Sequence, residues 1–523
     1  MRLSFNVASK NCGTKNLSQI NRTKMKTRNI FFASLLAIGV LPVLATEVKT
    51  SSPGSLATEL SNPKDVTDLT IEGPIDAEDF YFIGLNMPNL KSLDMENAII
   101  CQTSGITLSG RVSYPEGYIP EGVFGGLPLS KVVFPKEQRV IIGESAFMNT
   151  ALTKLEIPSN VDSIASGAFA GCKDLTEITM PNAKLGEYVF ASCPGLQTVN
   201  IGEATVIPTG TFRNCESLTA VIGSEKLVYI GDKAFEGDAL ITEFVFGPEL
   251  RYLGKSSFAA TGLTEVDLSK TRLDDLSSQV FADADLHSVT LPDEIAYIGE
   301  GAFFGNTNLR GFTLPANTIV LDACAFVGIN LSELALPDNL EEIHDYALAG
   351  QKYIKELYLP STLIYIGNNA MEEMTGLQKI DATSLHSVPE LGENVWKGVN
   401  QKEVELMVDL PGNETYLDMF RNADQWKEFD IKGIDTGVDD IVSDDAAQTK
   451  VRGRFVGTDL QIESTGAEID LVRVFDTAGR LLISVEPRDS FVNIDTSDYP
   501  AGIFIINILL DDKTPASLKL GRR

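Results

Sequence analysis

A phenylalanine returns along this chain every 21 to 23 residues, each time inside the same local phrase. Phe124, Phe147, Phe169, Phe190, Phe212, Phe235, Phe258, Phe281, Phe303 and Phe326 keep phase, and Leu348, Met371 and Trp396 then take the slot. A fixed period of about 20–29 residues is the mark of a leucine-rich solenoid, in which each copy is one supersecondary unit that stacks on the next. Such a chain forms a row of similar coils with a long surface, suited to binding rather than to catalysis.

Residues 140–158 display the unit. Val140-Ile141-Ile142-Gly143 is a short β-prone stretch, Glu144-Ser145-Ala146-Phe147 a turn, and Leu152-Thr153-Lys154-Leu155-Glu156-Ile157-Pro158 a strand with alternating faces. Alternation sends Leu155 and Ile157 inward and Lys154 and Glu156 outward. Gly143 is expected to permit a sharp turn, and Pro158 to end the strand because it has no N–H to donate. One unit alone cannot bury this many apolar groups, so stacking is obligatory. The phrase I-x-x-I-G-x-x-A-F-x-x-x-x-x-L-x-x-L-x-L-P resembles the BspA-like (Treponema-type) leucine-rich repeats of bacterial surface proteins. The resemblance covers about residues 118–408. It implies a solenoid of one strand plus a short turn or helix per repeat, and adhesion to host matrix proteins such as fibronectin or fibrinogen, or to other bacterial surfaces.

Both flanks of the array depart from the phrase. Residues 46–117 are expected to form an N-terminal cap with the first irregular repeats: Val66–Ile71 and Leu90–Met95 alternate like strands, and a helical segment begins at Asp79-Phe80. Residues 409–432 carry Tyr416, Phe420, Trp426 and Phe429 at helix-compatible spacing and are expected to cap the last coil. Residues 433–450 are small and acidic, as in a solvated linker. Residues 451–523 hold short strands separated by Ala478-Gly479 and Pro500-Ala501-Gly502, the pattern of a small β-sandwich. Within them, Val474-Phe475-Asp476 with Gly479-Arg480-Leu481, the run Tyr499-Pro500-Ala501-Gly502-Ile503-Phe504, and the late basic strand Ser517–Leu520 resemble the C-terminal sorting domain of Bacteroidetes type IX secretion cargo. That resemblance implies export across an outer membrane, followed by surface attachment or release.

The N-terminus reads as a signal peptide over 1–45, with translation starting at Met25: a basic Lys26-Thr27-Arg28, an apolar Ile30–Val40 and a small-residue cut after Ala45. The apolar run is shorter than the roughly 20 residues of a membrane span, so no membrane insertion is expected after cleavage. The leader holds seven basic and no acidic residues, so the mature chain carries 36 basic against 72 acidic residues, a net charge of −36. Such acidity argues against nucleic acid, which demands a basic footprint. Cys172, Cys193 and Cys215 each lie three residues after a repeat Phe and should stack as a ladder of small buried side chains.

No catalytic or metal motif is present, so no cofactor and no enzymatic activity are expected. His287, His344 and His386 each lie alone on a different repeat. Candidate binding residues follow from the phase. Glu243, Glu265, Asp267, Glu333, Glu356 and Tyr358 fall at outward positions of the Leu-x-Leu strands, which are expected to line one sheet face. Tyr229, Tyr252, Tyr297 and Tyr365 share the position before Ile-Gly, and tyrosine is favoured at interfaces. The expected function is that of a secreted or cell-surface protein binding host matrix or bacterial surface proteins. The alternatives are glycan capture for nutrient uptake, and a structural envelope component.

Overall fold

The computed structural model describes residues 44–107, 110–180, 183–385, 387–409, 414–434, 451–456, 458–464, 467–475, 481–511 and 515–522. The charged and apolar parts of the expected leader, linker residues 435–450 and His386 lie outside them. The chain falls into two units: one runs to Ile354 and includes Tyr365–Gly376 and Leu391–Val399, and the other comprises Lys355–Ile364, Leu377–Glu390 and Asn400–Arg523.

The first unit is a leucine-rich-repeat β-solenoid whose coils contribute two kinds of short parallel strand. One kind is the Leu-x-Leu strand: Lys154–Glu156, Glu177–Thr179, Thr198–Asn200 and Ala220–Ile222 pair in register. Leu155 and Ile157 are buried, whereas Lys154 and Glu156 are exposed, as the alternation requires. The other kind precedes the Ile-Gly: Asp275–Leu276, Tyr297–Ile298, Val320–Leu321, Glu342–Ile343 and Tyr365–Ile366 pair in order. Between the two, the repeat phenylalanines form a continuous ring stack. Phe147 and Phe169 lie 5.2 Å apart at 10°, Phe190 and Phe212 5.8 Å apart at 5°. The ten rings are fully buried, and Leu348, Met371 and Trp396 continue the buried column. Helix Ala77–Asn86 closes the N-terminal end: Asp76 caps it, and Phe80 meets Phe124 edge-on at 5.8 Å. The helix lies between parallel strands Asp68–Ile75 and Ser92–Ile100. Beyond them, an antiparallel hairpin, Thr103–Thr107 with Gly110–Tyr114, interrupts the coils.

The role expected for the Ile-Gly glycine needs correction. Gly143, Gly231 and Gly254 are not at positive φ. They are small because the preceding coil passes directly beneath them: a Cβ on Gly254 would lie 2.3 Å from the amide nitrogen of Asp232. The chain reversals occur two and six residues later. Ser145 (φ 55°) and Asn149 (φ 59°), Lys233 (φ 58°) and Gly237 (φ 86°), Ser256 (φ 55°) and Ala260 (φ 55°) occupy the left-handed region. Each coil thus carries two such turns on either side of Ala-Phe, often without glycine.

The position three residues after the Phe is a second interior ladder. Cys172, Cys193 and Cys215 are free, fully buried thiols. Each donates to a carbonyl of an earlier coil: Cys172 to Phe147 at 3.3 Å, Cys193 to Phe169 at 3.4 Å and Cys215 to Phe190 at 3.3 Å. Asn306 and Gln351 hold the same position and donate to Phe281 at 2.8 Å and Phe326 at 2.7 Å. Buried carbonyls require donors, so the ladder serves hydrogen bonding as well as packing. Asp238 is its exception. One carboxylate oxygen accepts from the Cys215 amide at 2.7 Å, as the Asn306 carbonyl accepts from Leu286 at 3.1 Å. The other oxygen is buried without a partner. Burial pushes the Asp238 carboxyl up to about 9, against the amide hydrogen bond that favours ionisation.

The second unit holds its own parallel sheet, Glu356–Tyr358, Lys379–Asp381, Glu405–Asp409 and Asp430–Ile434, with helix Glu414–Asn422 between the last two strands. Phe420, Trp426 and Phe429 are buried and packed together, with ring separations of 5.5 and 6.1 Å. Further on, Val451–Val456, Asp459–Ser464 and Phe491–Asp495 form one antiparallel sheet. Ile469–Phe475, Leu481–Val485, Gly502–Leu510 and Pro515–Arg522 form another. Leu460, Ile462, Val472, Val474, Ile506 and Leu520 share one core. Arg522 is buried and donates to Thr496 and to the carbonyl of Tyr499, which locks the last strand to the loop before Gly502.

Candidate functional site: two outward faces

The strand face carries Glu243, Glu265, Asp267 and Glu333, all exposed. It is not the continuous sheet that the phase implied. Strand pairing stops at residues 241–247, resumes for Glu265–Asp267 with Ser288–Thr290, and stops again at 311–313 and 333–335. For the first two breaks the reason lies inside; the third has Leu334 inward, as paired strands do, and no side chain accounts for it. The segments at 241–247 and 311–313 place Phe244 with Phe246, and Phe312, where paired strands have Leu, Ile or Val. These rings wedge edge-on against the central stack, Phe244 at 4.8 Å from Phe258 and Phe312 at 5.0 Å from Phe303, and the backbone gives up ladder geometry to seat them. Of the predicted residues, Glu265 and Asp267 sit on a strand, whereas Glu243 and Glu333 sit on irregular backbone, only the first of them beside an inward Phe.

The polar groups of this face are largely unspent. Lys154 pairs with Glu177 at 3.4 Å. Among the described residues, Glu243, Glu265 and Glu333 have no ion-pair or hydrogen-bond partner for their carboxylates. Hydrogen bonding from the Ser269 hydroxyl, then from the Ser269 amide at 3.0 Å, holds the Asp267 carboxyl below the usual range, with help from Lys270 and against slight burial. Ile222 and Val245, on successive coils, are 54% and 61% exposed. In the second unit, Tyr358 is exposed, bonds Glu356 at 3.1 Å, and lies under Lys379 at 5.8 Å.

The Ile-Gly face is organised differently. Tyr229 and Tyr252 stack at 4.7 Å and 11°. Each covers a face of the other, so the pair presents mainly edges and hydroxyls. Tyr297 and Tyr365 are half-buried and do not join this pair. They flank a cluster that sequence reading missed. Asp322 and His344 occupy the glycine slot of their coils, and their amides still donate to the preceding coil at 2.9 Å. His344 Nδ1 meets Asp322 at 2.9 Å and Nε2 meets Glu342 at 2.8 Å. The Tyr297 hydroxyl donates to the other Asp322 oxygen, and Tyr365 lies edge-on to His344 at 6.3 Å. His344 is thus not the isolated histidine that its spacing suggested. The signal was available: a charged side chain stands where the phrase demands glycine in two consecutive copies.

Burial works to lower the His344 pKa, but the hydrogen bonds and charges of Glu342 and Asp322 outweigh it and hold the imidazole above its ordinary value. Burial likewise works to raise the Asp322 pKa, and the bonds from Tyr297, His344 and the Ala323 amide reverse it, leaving the carboxyl low. Burial, then the bond to Asp322, pushes the Tyr297 phenol up. Both imidazole nitrogens are engaged by carboxylates, so the cluster ties three coils together and leaves no free base. Among the described residues no group of three His, Cys, Asp or Glu side chains converges to hold a metal ion. Among them, too, no helix is long and apolar enough to cross a membrane.

These coils, with their paired short strands and stacked interior, define a leucine-rich-repeat β-solenoid protein. More particularly, the chain belongs to the BspA type leucine rich repeat family: the BspA type leucine rich repeat region (6 copies) matches residues 101–219, 140–264, 183–287 and 274–403. No curated protein matches the chain significantly. Similar solved structures include a leucine-rich repeat protein from Bacteroides ovatus, at 18% identity, covering 72% of this chain and 86% of that one, with a TM-score of 0.48. A leucine rich cell surface protein from Faecalibacterium prausnitzii matches at 18% identity over 61% of this chain and 88% of that one, with a TM-score of 0.31. The pneumococcal vaccine antigen PcpA matches at 16% identity over 75% and 95%, with a TM-score of 0.25.

Proposed function

We propose that this chain is an exported, surface-located binding protein whose solenoid engages a protein ligand through its strand face. The observation that carries the reading is the unspent chemistry of that face: exposed carboxylates without partners beside exposed Ile222 and Val245. A polar surface that has satisfied itself has little to offer a partner, whereas unpaired charge beside apolar surface does. The basic and apolar leader over 1–45 supports export, and the likeness of residues 451–523 to a type IX sorting domain supports a role for the tail in reaching or leaving the surface. The family resemblance points to host matrix proteins, or to other bacterial envelopes, as ligands. The test is a binding assay of the mature protein against fibronectin, fibrinogen and bacterial envelope fractions. Saturable binding at micromolar concentration or tighter is expected, and no binding to any of them would reject the reading.

A second reading, glycan capture, rests on the Tyr229–Tyr252 pair and its hydroxyls. A glycan array probed with the mature protein and with Tyr229→Ala and Tyr252→Ala tests it. A glycan signal that those variants lose would favour capture of sugar over protein.

A further inference from the structure

Resting on the protein-binding reading above, we infer that the partner is a basic protein segment that seats apolar side chains on Ile222 and Val245 while its lysines or arginines meet Glu243, Glu265 and Asp267. Ile222 ends a paired strand, and Val245 lies in the following coil, where strand pairing has stopped. Within the first unit this outward column otherwise carries Glu156, Thr179, Asn200, Asp267, Thr290, Thr313 and the small Ala335. Two adjacent β-branched side chains more than half exposed are thus a local exception on a polar face. Two such residues held on neighbouring coils of the stack present apolar surface with few side-chain torsions left to order, which lowers the cost of binding there.

Charge selects the occupant. Glu243 is two residues from Val245, Glu265 and Asp267 follow one coil on, and nothing among the described residues neutralises Glu243 or Glu265. The nearby Lys226 is committed to Glu203 at 2.5 Å. An acidic partner would meet uncompensated repulsion here, and a purely apolar one would strand the carboxylates in a drying interface. A basic segment with apolar side chains satisfies both. The acidity of the whole chain would steer such a partner to the surface generally, so the experiment must separate the patch from diffuse attraction.

The test uses the full mature protein and two synthetic dodecapeptides, one alternating lysine with valine and one alternating glutamate with valine, by fluorescence anisotropy at physiological salt. The lysine peptide is expected to bind and the glutamate peptide not to. Ile222→Ser with Val245→Ser, and separately Glu243→Gln with Glu265→Gln, should each weaken binding tenfold or more with unchanged melting temperature. Glu144→Gln with Glu187→Gln, an equal loss of charge at exposed positions off the patch, should change it less than twofold. The inference is overturned if the control pair weakens binding as much as the patch pairs, if both peptides bind alike, or if the lysine peptide fails to bind the wild type. A natural protein ligand that binds the patch variants as well as wild type would also overturn it, while leaving the broader reading standing.

Discussion

The two outward faces of the solenoid differ in what their polar groups are doing. On the Ile-Gly face, Tyr297, Asp322, His344 and Glu342 satisfy one another across three coils. On the strand face, Glu243 and Glu265 satisfy no one, and the sheet itself is broken by inward phenylalanines. The contrast teaches that a repeat array can use one side of its coils to hold the stack together and leave the other to the outside world. Stability and binding should then be separable by mutation, because they draw on different side chains.

The largest effect should erase the comparison altogether. Phe258 is fully buried between Phe235 and Phe281 and touched by Phe244 and Phe246. Phe258→Ala should destabilise by about 3–5 kcal/mol in denaturant unfolding and take both faces with it. A loss below about 1 kcal/mol would mean that the ring stack is not the spine.

Asp238→Asn should act in the opposite direction, raising stability by about 1–2 kcal/mol at neutral pH, because the acid must take up a proton to be buried whereas an amide is neutral in both states and can donate as Asn306 does. The sign of its pH dependence is fixed by the raised folded pKa of about 9. The wild type should be most favoured below about pH 4, where the unfolded carboxyl is also protonated. It should lose that advantage as pH rises toward 9. The advantage of the asparagine variant should therefore grow with pH across that window, as thermal melts at several pH values would report.

His344→Ala should cost about 1 kcal/mol, a modest value because the group is partly exposed and screened. Its folded pKa is raised, so its contribution is present in full below about pH 6.5 and disappears as pH rises through the folded value. Asp322 has the reverse sign: its contribution is present above about pH 4 and disappears as pH falls through its lowered folded value. The tie should be strongest between those limits. A wild-type minus variant difference that stays flat across pH would remove the histidine from the bracing role. The smallest effect belongs to the other face: Glu265→Gln should change stability by less than about 0.5 kcal/mol, and a larger loss would show that the strand face, too, braces the stack.

Much of this architecture could be read from one residue type. The period of the phenylalanine set the coil length, the inward Leu155 and Ile157 and the outward Lys154 and Glu156, because stacking forces each coil to repeat its neighbour. What escaped lay in the exceptions. Phe244 and Phe312 are apolar and so looked like ordinary inward residues; only their volume reveals the broken pairing. Asp322 and His344 do not stand out while the glycine slot passes for a turn position; its constraint is instead the coil beneath it. A side chain placed there must run sideways, and two such side chains on successive coils meet. Asp238 hides for a similar reason: one coil beyond the cysteines, an acid does not look like the next rung of a buried ladder.

The paired left-handed turns of each coil bear on how such a molecule can change length. Ser145 with Asn149, Lys233 with Gly237, and Ser256 with Ala260 bracket the Ala-Phe of their own coil, so both reversals travel with the segment that needs them. A gain or loss of one whole repeat carries its corners along and leaves the neighbours in register. A change of a residue or two outside that bracket, as in the 21-residue step from Phe169 to Phe190 and the 25-residue step from Met371 to Trp396, leaves corner and ring together, whereas a change inside it would part them. Reach therefore grows by whole coils, while the length of each coil keeps some slack outside its corners.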